Sequence, residues 1–180
     1  MHKLSIYLHM LYTIIVFSEN KPGVLYRIAD LFLRRRINIE SLTVSEAGDS
    51  KLSRFTITVN ADGSLVEKII KQIYRIIEVI KVVDAVDEQL VVNEVALIKV
   101  STNSPKKRKE VNEIVKLSSA KIAHFSKADV TISLSGTPEE INNLKMLCKS
   151  YGVKEFVRSG RIALVKGEMQ DRKNVLSMVK

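Results

Sequence analysis

The sequence is poor in several residue types, and each shortage excludes a kind of protein. Only seven of the 180 residues are glycine and three are proline, which excludes long disordered linkers rich in those residues. Trp is absent and aromatic residues amount to 6% of the chain, whereas hydrophobic residues reach 46%. We therefore expect a folded chain whose cores consist mainly of Ile, Val and Leu.

Cysteine is nearly absent as well. The single cysteine, Cys148, excludes an internal disulfide and any Cys-x-x-Cys metal or redox site. Its neighbours are apolar at helical spacing, so we predict a buried structural thiol. Because no residue pattern demands an oxidising compartment, we expect a cytoplasmic protein.

The N-terminal stretch is apolar but lacks the marks of a signal peptide or a membrane span. Polar residues interrupt Leu4–Phe17, and no small-residue cleavage site follows it. It is also shorter than the roughly 20 apolar residues that cross a bilayer. We predict a buried strand over Tyr12–Ser18, an N-terminal extension over residues 1–11, and no membrane partner.

Positive charge is in excess, with a formal net charge of +9. Such a balance fits nucleic acid or an acidic protein partner, although we expect most cations, including Arg34–Arg36 and Lys106–Lys109, on solvated surface. Recognition of RNA by a sheet needs exposed aromatic side chains. Phe55 is the lone aromatic residue on its strand and lies on the apolar face, so we expect no nucleic acid.

Two successive parts of the chain repeat one order of elements: strand, helix, strand, strand, helix, strand. That order predicts an α+β protein of two consecutive ferredoxin-like βαββαβ domains. In the first domain the predicted strands are Tyr12–Ser18, Ile37–Val44, Arg54–Val59 and Val79–Val86. Phe55, Ile57 and Val59 alternate with polar residues, which indicates one buried face and one open face.

The two helices of the first domain are predicted from apolar spacing and from a cap. The first helix has inward-facing residues at i, i+3, i+4 and i+7, namely Leu25, Ile28, Ala29 and Phe32. Ser64 and Glu67 form a capping-box pattern that opens the second helix, whose apolar stripe runs to Ile77. A hairpin loop is predicted at Ala47–Ser50 and an interdomain linker at Glu88–Asn93.

The second domain repeats the order with helix signals of its own. Ser104 precedes Pro105 at the start of one helix, and Thr137 forms a capping box with Glu140 at the start of the next. Its predicted strands are Val95–Val100, Lys121–Phe125, Val130–Leu134, Val153–Val157 and Arg161–Val165.

The predicted boundaries are residues 12–87 for the first domain and 93–167 for the second, with a polar tail over residues 168–180. Domains of this size hold a core that barely outweighs chain entropy. A sheet with helices on one face also leaves its other face and its edges open. We therefore expect the chain to pair with another copy.

No catalytic constellation is present in the sequence. His2, His9 and His124 have no Cys or His at zinc-ligand spacing. Nucleophile-elbow, Walker and dinucleotide motifs are absent. These absences favour a binding protein over an enzyme, with no cofactor and no metal.

The segment Ser18–Leu25 carries the clearest sign of a ligand site. A strand passes through Asn20-Lys21-Pro22-Gly23 into a helix, whose first N–H groups lack intrahelical partners and attract a carboxylate. Gly23 would allow close approach of a ligand, and the Asn20 amide offers donors and an acceptor. A plain strand–helix turn explains the same residues, so this segment alone leaves both interpretations open.

Five segments of the chain resemble the small regulatory subunits of acetohydroxyacid synthase, three in their ACT domain and two in the domain that follows. They are N-K-P-G-V-L-Y-R-I-A-D-L-F at Asn20–Phe32, N-I-E-S-L-T-V at Asn38–Val44, L-S-R-F-T-I at Leu52–Ile57, V-A-L-I-K-V at Val95–Val100 and V-R-S-G-R-I-A-L at Val157–Leu164. The resemblance spans Ile14 to Lys166, nearly the whole chain.

The resemblance implies a non-catalytic regulatory subunit. Members of the family bind a catalytic subunit that uses thiamine diphosphate to condense two pyruvates, or pyruvate with 2-oxobutyrate. They raise its activity and usually confer inhibition by a branched-chain amino acid, often valine, which sits between two ACT domains of a homodimer. The implied effector-binding residues are Asn20, Pro22, Gly23, Val24 and Leu25 of one protomer, with Asn38 and Ile39 of the other.

Two positions depart from the pattern of the family that the chain resembles. Arg36 stands where relatives usually carry Gly, and Ser118-Ser119-Ala120 stands where many carry Phe-Arg-Gly. Two other functions stay open at the level of sequence. One is a free-standing ACT-type amino-acid sensor for another enzyme, and the other, with less support, is a basic RNA-binding ferredoxin-like protein.

Overall fold

The computed structural model describes residues 10–166. Their contacts divide them into two compact units, residues 10–91 with 163–166 and residues 92–162. The predicted polar tail and most of the predicted N-terminal extension lie outside the described residues. None of the helices in the described range is long and apolar enough to cross a membrane.

The first unit contains a four-stranded antiparallel sheet and two helices. Its elements are β1 (Met10–Glu19), α1 (Val24–Leu33), β2 (Ile39–Ala47), β3 (Asp49–Ala61), α2 (Gly63–Ile73) and β4 (Val79–Val86). The strand order β2-β3-β1-β4 puts β2 and β4 at the edges. This is the predicted βαββαβ order, so the fold predicted for the first domain is confirmed.

The core of the first unit lies between one face of this sheet and both helices. Phe55, Ile57 and Val59 are buried, as their alternation predicts, and β1 adds Ile14 and Val16. The helices contribute Val24, Ile28, Phe32, Val66, Ile69 and Ile73 to the same cluster. Burial of each large aliphatic side chain contributes about 1.5–3 kcal/mol, so this cluster holds the helices on the sheet.

The opposite face of the sheet is more buried than predicted. Thr56 and Thr58 are only 4% and 2% exposed, and Thr13 is fully buried. The hydroxyl of Thr58 finds a partner on the neighbouring strand, because Ser41 Oγ lies 2.7 Å from Thr58 Oγ1. The expectation of an open face is therefore wrong at these positions, where the β-branched side chain of threonine suits a buried strand.

The apolar stripes of both helices differ from their predicted positions at one end. Val24 begins the buried stripe of α1, whereas Leu25 is 43% exposed and Ala29 is only half-buried. Ile77 is 91% exposed, because α2 ends before it. The buried residues of α1 are Val24, Ile28 and Phe32, which are four residues apart, so the stripe keeps a helical period but begins one residue earlier than predicted.

The predicted capping box of Ser64 with Glu67 is wrong. The N-cap is Asp62, two residues before the predicted cap Ser64, and the helix begins at Gly63. A carboxylate oxygen of Asp62 accepts a hydrogen bond from the Ser64 N–H at 2.7 Å. Asp is as good an N-cap as Ser, so the earlier of two suitable residues starts the helix.

Several strands are longer than predicted. β1 begins at Met10, inside the predicted extension, and β5 begins at Leu90, inside the predicted linker. The predicted loop Ala47–Ser50 is mostly strand, because β2 and β3 join through Gly48 at a φ of +72°. Conversely, β2 begins at Ile39, two residues later than predicted.

The second sheet repeats the topology of the first. The elements are β5 (Leu90–Ser101), α3 (Pro105–Leu117), β6 (Lys121–Phe125), β7 (Asp129–Gly136), α4 (Pro138–Lys149), β8 (Val153–Arg158) and β9 (Ile162–Val165). The strand order is β6-β7-β5-β8, and β9 pairs with β5. The predicted second ferredoxin-like domain is thereby confirmed, and β9 is the strand predicted at Arg161–Val165.

The helix caps of the second unit and the burial of Cys148 agree with their predictions. Ser104 Oγ accepts from the Lys107 N–H at 3.3 Å, and Thr137 and Glu140 form the predicted capping box. Cys148 is fully buried, and burial raises the pKa of its thiol to about 11. The core residues include Ile98, Val100, Val111, Ile132, Ile141 and Leu144.

Candidate functional site

The turn between β1 and α1 exposes unpartnered helix amides to a ligand. Gly23 is the N-cap of α1 at a φ of +84°, a conformation that favours glycine. Because glycine has no side chain, no side-chain cap accepts hydrogen bonds from the first amides of the helix. The first intrahelical hydrogen bond runs from the Arg27 N–H to the Gly23 carbonyl at 3.1 Å. The three amides before Arg27 therefore have no intrahelical acceptor. The first turn of α1 carries no acidic side chain that would compete for them.

Hydrogen bonds from two neighbouring segments fix this turn. The Asn20 N–H donates to the Lys51 carbonyl at 2.7 Å, at the start of β3. The Glu19 N–H donates to the Glu78 carbonyl at 2.9 Å, just before β4. The backbone that leads into α1 is thus held on both sides, which keeps its amides aimed in one direction.

Two ion pairs flank the turn, and sequence reasoning missed both. Arg27 Nη2 lies 2.7 Å from Glu78 Oε1, and the hydrogen bond from Arg27 holds the pKa of Glu78 below its usual value. Lys21 pairs with Glu19, and the hydrogen bond to Glu19 raises the pKa of Lys21. Lys21 and Glu19 are neighbours that a reader of the sequence could have paired. Arg27 and Glu78 are far apart in sequence and carried no such signal.

The predicted site residues of the turn divide into exposed and buried ones. Asn20, Pro22 and Gly23 are exposed, and a Cβ added at Gly23 would meet no other atom within 4 Å. The side chain of Val24 belongs to the core, so only its backbone N–H faces the turn. Leu25 is the apolar side chain of the turn that is accessible.

The remaining predicted residues, Asn38 and Ile39, lie at the opposite end of the same sheet. Ile39 pairs with Val59 of β3, whereas Glu19 pairs with Leu52 of β3. Seven residues of β3 at about 3.3 Å each separate these two points by about 23 Å. Within one chain, the structure therefore brings Asn20–Leu25 together but not Asn38 and Ile39.

The side chains of these two residues differ in exposure. Asn38 is exposed, and its Nδ2 donates to Glu40 Oε1 at 3.2 Å. Ile39 is half-buried and packs against the core of the first unit. Asn38 can therefore offer its amide to a ligand, and Ile39 can offer only part of its side chain.

Arg36 lies just before Asn38 in a conformation that favours glycine. Its φ is +54°, and it follows the end of α1. The Arg36 N–H donates to the Leu33 carbonyl at 2.9 Å and the Ile37 N–H donates to the Phe32 carbonyl at 3.1 Å. This pair of bonds is the Schellman ending of a helix, in which the residue at positive φ is usually Gly.

The two sheets, their helices and the open turn define a class: ferredoxin-like proteins whose first domain is an ACT domain. Residues 14–81 match the family described as the AHAS small subunit-like ACT domain. Residues 93–167 match the family described as the small subunit of acetolactate synthase. The chain belongs to the acetolactate synthase (acetohydroxyacid synthase) small-subunit family, which confirms the resemblance seen in the sequence.

Individual relatives support this assignment along most of the chain. A probable acetolactate synthase small subunit of Archaeoglobus fulgidus is 42% identical over 158 residues, which cover 88% of this chain and 98% of the relative. The acetolactate synthase small subunit of Mycolicibacterium smegmatis is 38% identical and covers 87% and 91%. The crystal structure of the small subunit from Thermotoga maritima matches with a TM-score of 0.79 at 32% identity, covering 88% and 99%.

Proposed function

We propose that the chain is a non-catalytic regulatory subunit of acetohydroxyacid synthase, acting in valine, leucine and isoleucine biosynthesis in the cytoplasm. It binds the separate thiamine-diphosphate-dependent catalytic subunit, raises its activity and makes it sensitive to a branched-chain amino acid. The observation that carries this proposal is membership of the small-subunit family along nearly the whole chain. The open N-terminus of α1 supports the sensing role.

The effector is an amino acid, whose carboxylate, ammonium and side chain each need a partner. The amides of the first turn of α1 suit the carboxylate, because they are unpartnered within the helix and lie at its positive end. The amide oxygen of Asn20 or Asn38 suits the ammonium. Leu25 and Ile39 offer apolar surface, which favours a small aliphatic side chain such as that of valine.

A homodimer is needed to complete this site. One chain holds the turn and Asn38 about 23 Å apart, which is too far for one amino acid to reach both. β2 is an edge strand with unpaired backbone groups. Val44 of β2 and Leu25 of α1 are each 43% exposed, so apolar surface remains uncovered in the first unit.

Pairing of the two β2 strands would complete the effector site and would also cover the unpaired edge of the sheet. β1 and β2 run parallel, because each is antiparallel to β3, so the turn after β1 lies at the end of β2. In an antiparallel pair of β2 strands, the start of one lies beside the end of the other. Asn38 and Ile39 of one protomer would then lie at the same end of the joined sheet as the turn of its partner.

The experiment that tests the proposal is a titration of the catalytic subunit with the purified chain. The rate of acetolactate formation from pyruvate should rise with added chain and then fall when valine is added. The chain alone should form no acetolactate. No change in rate across the titration would contradict the proposal, and valine binding without activation would favour a free-standing sensor.

A further inference from the structure

One edge of the second unit, formed by α3 and β6, exposes apolar side chains. β6 is the edge strand of its sheet, and all five of its residues are exposed. Ile122 and Phe125 lie opposite the buried residues Ile132 and Val130 of β7, on the helix-covered face. They are nevertheless 44% and 51% exposed, so the helices stop short of this edge.

Arg108 shows which side of α3 faces this edge. Its guanidinium carbon lies 4.7 Å from the centre of the Phe125 ring. Its Nη2 donates to the Lys127 carbonyl at 2.8 Å. The cation–π contact with Phe125 and the hydrogen bond to Lys127 hold β6 and the following loop against α3, so this surface has a defined structure.

The exposed face of α3 beside Arg108 carries more cations than acids. Residues advance by about 100° around a helix, so Lys109 and Lys116 lie within about 100° of Arg108. Glu113 shares their face, about 40° from Lys109 and about 60° from Lys116. Glu110, in contrast, lies about 160° from Arg108. Lys109 and Lys116 are both exposed, and their charges add to those at the ends of β6.

The charge of this region is unbalanced compared with the rest of the chain. Residues 105–128 contain seven Lys or Arg against two Glu, an excess of five, within a chain of net charge +9. A second copy that paired through the same edge would bring this excess against itself. Charge therefore argues against self-association here and for an acidic partner surface.

We propose that the α3–β6 edge, defined by Lys109, Lys116, Lys121, Ile122 and Phe125, docks onto an acidic face of the catalytic subunit. This inference rests on the proposed function and names the surface through which that function acts. An apolar centre inside a charged rim is the arrangement of a specific protein interface. The apolar pair supplies desolvated contact, and the lysines orient the encounter.

The first test reverses the charge of the edge. The double variant Lys109→Glu with Lys116→Glu is compared with Lys68→Glu with Lys71→Glu on α2. The control makes the same change of charge, and Lys71, like Lys116, lies in the last turn of its helix. Sedimentation velocity with the catalytic subunit should show at least tenfold weaker binding for the α3 variant and wild-type binding for the control. Binding of wild type should also weaken as salt is raised, because exposed charges are screened.

The second test removes the apolar centre. Ile122→Asp should weaken binding of the catalytic subunit while the circular dichroism spectrum and the heat of valine binding stay as in wild type. If both the α3 double variant and Ile122→Asp bound the catalytic subunit with wild-type affinity, this inference would be overturned and the proposed function would stand. A wild-type chain that never binds the catalytic subunit would overturn the proposed function as well. The inference would also be overturned if these lysines were needed for RNA binding at physiological salt while their substitution left binding of the catalytic subunit unchanged.

Discussion

Arg36 after α1 and Ser119 after α3 both adopt the left-handed conformation that ends a helix, and neither residue is glycine. Ser119 has a φ of +53°, close to the +54° of Arg36. The Ala120 N–H returns to the Val115 carbonyl at 3.0 Å, as the Ile37 N–H returns to Phe32. Both helices therefore end in a Schellman motif whose left-handed residue has a side chain, a conformation that costs an L residue roughly 1–2 kcal/mol. The two departures from the family pattern thus include both of these helix endings.

Replacement of Arg36 by glycine should stabilise the fold. Arg36→Gly should raise the free energy of unfolding by about 1 kcal/mol, because it relieves the left-handed conformation. Arg35→Gly is the matched control, since Arg35 is not among the positive-φ residues of the described range and glycine there should destabilise. Urea unfolding measures both. An Arg36→Gly variant no more stable than wild type would show that the arginine side chain contributes contacts that offset the strain.

Gly23 has two roles, a left-handed φ and an open approach to the helix amides, which substitution can separate. Asn and Asp have the same shape and both tolerate positive φ. Open space surrounds the position, so either fits. We predict that Gly23→Asp reduces valine affinity at least tenfold relative to Gly23→Asn, because only Asp places like charge beside the effector's carboxylate. Calorimetric titration with valine measures the difference, and equal affinities would place the carboxylate elsewhere.

The ion pair of Arg27 with Glu78 connects the first turn of α1 to the start of β4. The pKa of Glu78 is lowered in the folded state, so its contribution to stability is present above the unfolded value of 4.5. That contribution is lost as pH falls through the lowered pKa. We predict that Glu78→Gln is less stable than wild type at pH 7 and that the difference shrinks below about pH 4.5. Thermal melts across this range test it, with the exposed Glu67→Gln as control. A pH-independent difference would contradict the prediction.

Periodicity and caps predicted the order of elements, and local competition decided where each element starts. The alternation of Phe55, Ile57 and Val59 correctly predicted the face of β3 that packs on the helices, because a two-residue period puts all three side chains on one face. The start of α2 was misplaced because Asp62 and Ser64 are both good caps, and only the packed helix decides between them. The candidate site likewise has one feature that local sequence predicts and another that depends on tertiary structure. The turn at Gly23 has a local signal, whereas the pairing of Arg27 with Glu78 is tertiary and has none.

Because Gly23 and Asn38 lie far apart within one chain, the proposed effector site is shared by two chains. If the proposed dimer is symmetric, it holds two sites, each with the turn of one protomer and Asn38 of the other. Gly23→Asp opposes the carboxylate of the effector, and Asn38→Lys opposes its ammonium. A homodimer of either variant should therefore bind no valine at concentrations that saturate wild type.

A mixed dimer of these two variants should regain one site. Both substitutions fall into the same site, because the turn of the Gly23→Asp chain faces the start of β2 in the Asn38→Lys chain. The other site combines the unaltered turn of one chain with the unaltered Asn38 of the other. Calorimetry on mixed dimers purified through two different affinity tags should give one valine per dimer, against two for wild type. A site contained within one chain predicts a different result: Asn38→Lys homodimers would bind valine normally, because the amides after Gly23 would act alone.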